Sequence, residues 1–256
     1  MTDLKTEYTT LTVDDGTSMR GYVAHPATPA SRGVIVCQEA FGVNAHISDV
    51  TERFARIGFL AIAPELFHRT APGFEGRYDD FPSVRGHVRA LSDDGMAADL
   101  RAAYAWLSAN GGSADFPIAA VGFCMGGRAA VLTAMTVPVA CAVSFYGGGI
   151  APNANNPGLL NRVGELRPPV LLFWGGRDKH LGPDQIRAVT EALREAGKNY
   201  TNVEISDADH GFFCDARPSY NQVATAHAWA LVVAFLDTYT LERRTKPGVG
   251  SKPRHS

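Results

Sequence analysis

The chain has 256 residues, 45% of them hydrophobic, with a formal charge of -2 and a pI near 6.4. That length and apolar content are enough to bury a sizeable core, and a charge so near zero gives no electrostatic basis for binding nucleic acid or an anionic membrane. A small-molecule partner is the expectation, for a monomer or small homo-oligomer. The four cysteines, Cys37, Cys124, Cys141 and Cys214, show no Cys-x-x-Cys spacing and fall mostly in apolar runs, so they argue for free thiols in a reducing compartment. The first residues lack the basic and then apolar pattern of a signal peptide, and no apolar run is long enough to span a bilayer. A cytoplasmic location is therefore expected.

Residues 9–13 and 19–24 alternate around Asp14-Asp15-Gly16-Thr17 and predict an antiparallel hairpin. After it, short apolar runs at 33–37, 59–63, 118–122, 140–145, 170–174 and 203–206 read as strands covered on both faces. Between most of them, residues 47–57, 94–108, 128–135, 183–196 and 218–238 carry apolar side chains at helical spacing, and Pro183 and Pro218 suit first turns. Such alternation predicts an α/β fold with a mostly parallel, doubly wound sheet behind an N-terminal antiparallel hairpin. Residues 67–92 and 151–167, richer in glycine, proline and charge, are expected to be irregular surface, the second bordering the site's mouth. One domain is expected over residues 1–240, with a basic, disordered tail over 241–256.

The most informative segment runs from Ala119 to Gly127, Ala-Ala-Val-Gly-Phe-Cys-Met-Gly-Gly. An apolar strand enters Gly122-x-Cys124-x-Gly126, a nucleophile elbow with sulfur in place of the usual serine oxygen. Cys124 would open a helix, where N–H groups and the helix dipole favour a thiolate. Two further strand ends carry the partners: Gly176-Arg177-Asp178, and Asp209-His210-Gly211-Phe212. The order nucleophile, acid, histidine is that of the α/β-hydrolase fold. Singly, Asp178 reads as a turn residue and His210 as a packing histidine; three coincidences at successive strand ends favour a triad. The N–H of Met125 and one from the loop after residues 33–37, that of Ala40, would hold an oxyanion.

Taken together, Gly-Phe-Cys-Met-Gly-Gly around Cys124, Cys37-Gln38-Glu39-Ala40-Phe41-Gly42-Val43-Asn44, Ala63-Pro64-Glu65-Leu66-Phe67, Gly176-Arg177-Asp178 and His210-Gly211-Phe212 resemble the dienelactone hydrolase, or carboxymethylenebutenolidase, family. The resemblance runs from about Gly21 to about Thr238. It implies an α/β-hydrolase fold, no metal and no cofactor, and hydrolysis of a lactone or related ester by Cys124, Asp178 and His210. It also implies that Glu39 meets the nucleophile and governs whether it is inert or a thiolate, according to whether substrate is bound.

The sequence departs from the family where substrate is chosen. Relatives that take dienelactone carry an arginine four residues past the triad histidine, a position held here by Cys214. The candidates for anion binding are therefore Arg217, Arg77 with Tyr78, and Arg85. Rival readings are a general short-chain esterase of the same fold, a non-catalytic small-molecule binding protein that kept it, and a glutamine amidotransferase. The last would want a His-x-Glu pair, whereas this chain offers Asp178 and His210 on separate strand ends.

Overall fold

A computed structural model of the chain describes residues 4–153 and 156–241. The expected hairpin is formed by β1 (Lys5–Thr12) and β2 (Ser18–His25), antiparallel throughout. β2 pairs antiparallel with β4 (Phe59–Pro64), and the parallel part of the sheet follows: β3 (Arg32–Cys37), β5 (Ile118–Phe123), β6 (Cys141–Phe145), β7 (Val170–Gly175) and β8 (Tyr200–Ile205). The order across the eight-stranded sheet is β1-β2-β4-β3-β5-β6-β7-β8.

Every residue of β3 to β7 is buried, which is why these strands read as unbroken apolar runs rather than alternating ones. The last strand begins at Tyr200, where alternation over residues 200–206 places it, but it is not covered on both faces as the apolar run at 203–206 suggests, because it forms the sheet edge and leaves Thr201, Asn202 and Glu204 exposed.

The helices are α1 (Ala45–Arg56), α2 (Phe81–Ala90), α3 (Asp93–Asn110), α4 (Met125–Thr136), α5 (Pro183–Glu195) and α6 (Gln222–Thr240). Phe54 of α1 meets Trp229 of α6, and α3 packs on α4, so the sheet is enclosed between helices. Two boundaries correct the sequence reading. α2 lies inside the segment expected to be irregular: Asp80 caps it by accepting from the Ser83 N–H and Pro82 fits its first turn, but Val84 is its only buried residue, so no apolar stripe announces it. α6 begins at Gln222 under an Asn221 cap, while residues 218–221 belong to the preceding turn, closed by the Tyr220 N–H on the Arg217 carbonyl. Residues 151–167 include a short 3-10 helix at Leu160–Glu165. The expected tail, apart from Leu241, lies outside the described residues.

A buried polar cluster ties the sheet to its flank. Asp99 of α3 is fully buried and receives Arg69 on both oxygens, at 2.9 and 2.8 Å, and His68 at 3.0 Å. Arg69 in turn donates to Asp15 of the hairpin turn at 2.8 Å. Every charge in this cluster has its counter-charge and hydrogen bonds, the condition under which buried ions are tolerated.

Candidate active site

β5 ends in a backbone that only a narrow set of neighbours permits. Cys124 has φ +56° and ψ -120°, a strained conformation for a residue with a side chain. A Cβ on Gly122 would fall 1.8 Å from the Gly126 carbonyl oxygen, and one on Gly126 would fall 2.3 Å from those of Cys37 and Gln38. The two glycines thus let β5, β3 and α4 converge beneath the thiol. The Cys124 N–H donates to the Phe145 carbonyl at 3.0 Å, anchoring the turn to β6. Met125, the first residue of α4, has no carbonyl one turn back to bond. It packs against the small cluster of Ala40, Phe41 and Val84, so the expected oxyanion residues Met125 and Ala40 belong to one neighbourhood.

Asp178 follows β7 and is almost fully buried. One of its carboxylate oxygens accepts from the His180 and Leu181 N–H groups at 2.8 and 3.1 Å, and the other faces His210 Nδ1 at 2.7 Å. Burial would raise its pKa, but His210 and the two N–H donors hold it below the usual carboxylate range. For His210 burial acts the other way, toward the neutral ring; its interactions with Cys124 and Asp178 outweigh it and push the imidazole up to about 10. The three side chains selected from sequence therefore act on one another electrostatically.

Glu39, in the loop after β3, is fully buried, with Oε1 accepting from Arg217 at 3.2 Å and Oε2 making no hydrogen bond. Arg217 reaches it by crossing above Gly211, whose φ is +77° and whose Cβ, if present, would lie 2.3 Å from the guanidinium. Its guanidinium lies 5.9 Å from the Phe41 ring centre and 5.7 Å from that of Tyr78. The Tyr78 hydroxyl accepts from Asn44 at 3.0 Å and from the Cys214 thiol at 3.2 Å. Of the anion-binding candidates, then, Arg217 and Tyr78 are brought to Glu39. Arg77 pairs with Asp79 in solvent at 2.7 Å, and Arg85 lies on the exposed face of α2.

Two residues of this region were not singled out from sequence. Tyr146, just past β6, is fully buried with φ +38°, its ring centre 5.0 Å from that of His210 and its hydroxyl without a hydrogen bond. Its position at a strand end beside the elbow, before three glycines, was the available signal. His46, at the start of α1, is buried between Phe123 and Phe213, and neither ring nitrogen makes a hydrogen bond. Among the described residues, Glu39, His46 and Cys214 also form a group with metal-binding atoms mutually within 4.8 Å.

Residues 19–240 match the dienelactone hydrolase family. The chain belongs to that family. Membership makes it a carboxylic ester hydrolase, and the sheet order and elbow described above are those of an α/β-hydrolase fold. Among its relatives, a "Putative carboxymethylenebutenolidase" of Synechocystis sp. is 36% identical over 92% of this chain and 98% of its own length. One of the same name from Escherichia coli K12 is 34% identical over 88% of this chain and 84% of that protein. The crystal structure of a "Putative Dienelactone Hydrolase" from Klebsiella pneumoniae superposes with a TM-score of 0.83 at 32% identity, covering 93% of this chain and all of that one. No helix among the described residues of this family member is long and apolar enough to cross a membrane.

Proposed function

We propose that this chain hydrolyses a small lactone or ester through a thioester on Cys124, with His210 as base and acid and Asp178 orienting the imidazole. The observation that carries this reading is the 2.7 Å Asp178–His210 bond beneath an imidazole drawn into its charged form by Cys124. The thiolate attacks the carbonyl carbon, and the N–H groups of Met125 and Ala40 stabilise the oxyanion; one such donor contributes roughly 2.7–4 kcal/mol of barrier lowering. As the carbon–oxygen bond breaks, His210 Nε2 gives its proton to the leaving oxygen. Water then loses a proton to His210 while attacking the thioester, releasing the acid and restoring the thiolate.

Glu39 and Arg217 are read as the substrate-responsive part. An anionic substrate that draws Arg217 toward its own carboxylate leaves Glu39 without its counter-charge, and an uncompensated buried carboxylate takes up a proton. The Arg217–Glu39 pair and the unbonded Glu39 Oε2 support this sequence. A second reading, a general short-chain esterase, is favoured by Cys214 standing four residues past His210 and by Arg77 and Arg85 lying in solvent, which leave Arg217 as the one arginine among the described residues that pairs with Glu39. Free thiols at all four cysteines fit a reducing, cytoplasmic setting. The deciding experiment is a hydrolysis screen of anionic lactones against neutral aryl esters, comparing the unaltered chain with Cys124→Ala. Turnover of either class that survives the substitution would overturn the mechanism.

A further inference from the structure

We propose that Glu39, His46 and Cys214 form a binding site for a zinc-like divalent cation beside the reaction centre, through which the metal holds the enzyme in check. Three separate segments converge here: the loop after β3, the first turn of α1 and the loop between His210 and α6. Each contributes one donor of a type that zinc accepts, a carboxylate oxygen, an imidazole nitrogen and a thiol sulfur, with the donor atoms mutually within 4.8 Å.

Donor atoms around tetrahedral zinc stand roughly 3.5 Å apart, given bonds of about 2.0–2.3 Å. The cluster is thus open by about 1 Å, a gap that side-chain rotation can close. Three of its polar atoms have no hydrogen bond: Glu39 Oε2 and both nitrogens of His46, in residues 0% and 5% exposed. Buried polar atoms are rarely left without partners, and a bare imidazole beside a bare carboxylate oxygen is hard to explain as packing. Water or a substrate group would take the fourth position.

The charges also suit a divalent ion. Glu39 and a Cys214 thiolate supply two negative charges and Arg217 one positive charge, so the cation enters a site of net charge -1 and displaces the thiol proton to solvent. It competes with Arg217 for Glu39 and with Tyr78 for Cys214, since both hydrogen bonds involve groups that would ligate it. The two uses of Glu39 exclude each other. Inhibition rests on the catalytic reading of Glu39 given above, whereas binding does not.

The test uses the full chain, freed of metal by dialysis, with zinc sulfate followed by calorimetry and cobalt chloride followed by absorbance. The proposal requires one metal per chain and a thiolate-to-cobalt charge-transfer band, both retained in Cys124→Ala because Cys124 with His210 could otherwise supply a competing site. Cys214→Ser and His46→Gln, checked for folding by circular dichroism, should each weaken zinc binding on the order of 100-fold or more, at least the loss seen when supporting groups of metal sites are removed. No stoichiometric binding, loss of the cobalt band in Cys124→Ala, or full affinity in either folded variant overturns the proposal. If both variants fail to fold, the cobalt band in Cys124→Ala still decides it. Binding with no slowing of ester hydrolysis would support the metal site and overturn the role given to Glu39.

Discussion

Among the described residues, the buried clusters around Asp99 and around Glu39 are built to opposite standards. Around Asp99 every charge is answered: both carboxylate oxygens are occupied by Arg69 and His68, and Arg69 reaches on to Asp15. Around Glu39 and Tyr146 four polar atoms, Glu39 Oε2, the two His46 nitrogens and the Tyr146 hydroxyl, have no hydrogen bond. A polar group left buried without a partner costs about 1–3 kcal/mol, so the second cluster is held in place by the surrounding fold rather than by its own bonds. The first cluster is satisfied within the chain; the second leaves donors and acceptors unpaired.

The comparison can be broken most forcefully at its reactive edge. Cys124→Ala is expected to abolish ester hydrolysis with the circular dichroism spectrum unchanged, and Asp178→Asn to lower kcat by about 10⁴-fold by spoiling the imidazole tautomer. His210→Ala combined with Asp178→Asn should cost little more than the larger single loss; additive losses would show that the residues do not act as a unit. In the satisfied cluster the effect should move from rate to stability. Asp99→Ala leaves His68 and Arg69 without their acceptor and should lower the unfolding free energy in urea by about 3 kcal/mol, with kcat per folded molecule preserved.

Arg217→Ala sharpens the contrast further. It should lower kcat/KM for an anionic lactone by the loss of a charge-assisted hydrogen bond, roughly 1.5–3 kcal/mol, and leave neutral aryl esters much less affected. Equal losses on both substrates would remove Arg217 from substrate recognition.

Titration offers a subtler reading of the same centre. The His210 pKa near 10 exceeds the unfolded value of about 6.5, so its contribution to stability is complete below about pH 6.5 and is lost as the pH rises toward 10. In an NMR titration the ring should stay charged through neutrality, and Cys124→Ala should bring its pKa down by removing the leading attraction. An unchanged midpoint would mean that the thiolate is not the dominant partner. The smallest change in rate is expected from Tyr146→Phe, which removes a buried hydroxyl with no partner: kcat should hold while stability rises by about 1 kcal/mol, the low end of the cost of such a group. A clear fall in kcat at unchanged stability would show that the hydroxyl meets substrate.

The amino-acid sequence by itself determined the parts of this protein that depend on neighbours in the chain. Unbroken apolar runs mark β3 to β7, glycines two residues either side of Cys124 mark the elbow, and Asp178 and His210 are legible as candidates because they follow strands that local patterns reveal. α2 escaped because its single buried residue leaves no periodic stripe, and the start of α6 was misplaced because Pro218 suits a turn as well as a helix start. Only the tertiary structure decided which arginine reaches Glu39. The pair spans 178 positions, and Arg77, equally available to a reader of the sequence, turns to Asp79 instead. The same holds for the meeting of Glu39, His46 and Cys214, residues on three segments whose proximity depends on how the loop after β3, α1 and the loop before α6 are packed against one another. Local periodicity reports which face of a strand or helix is covered; it carries no information on which distant side chain completes a buried charge.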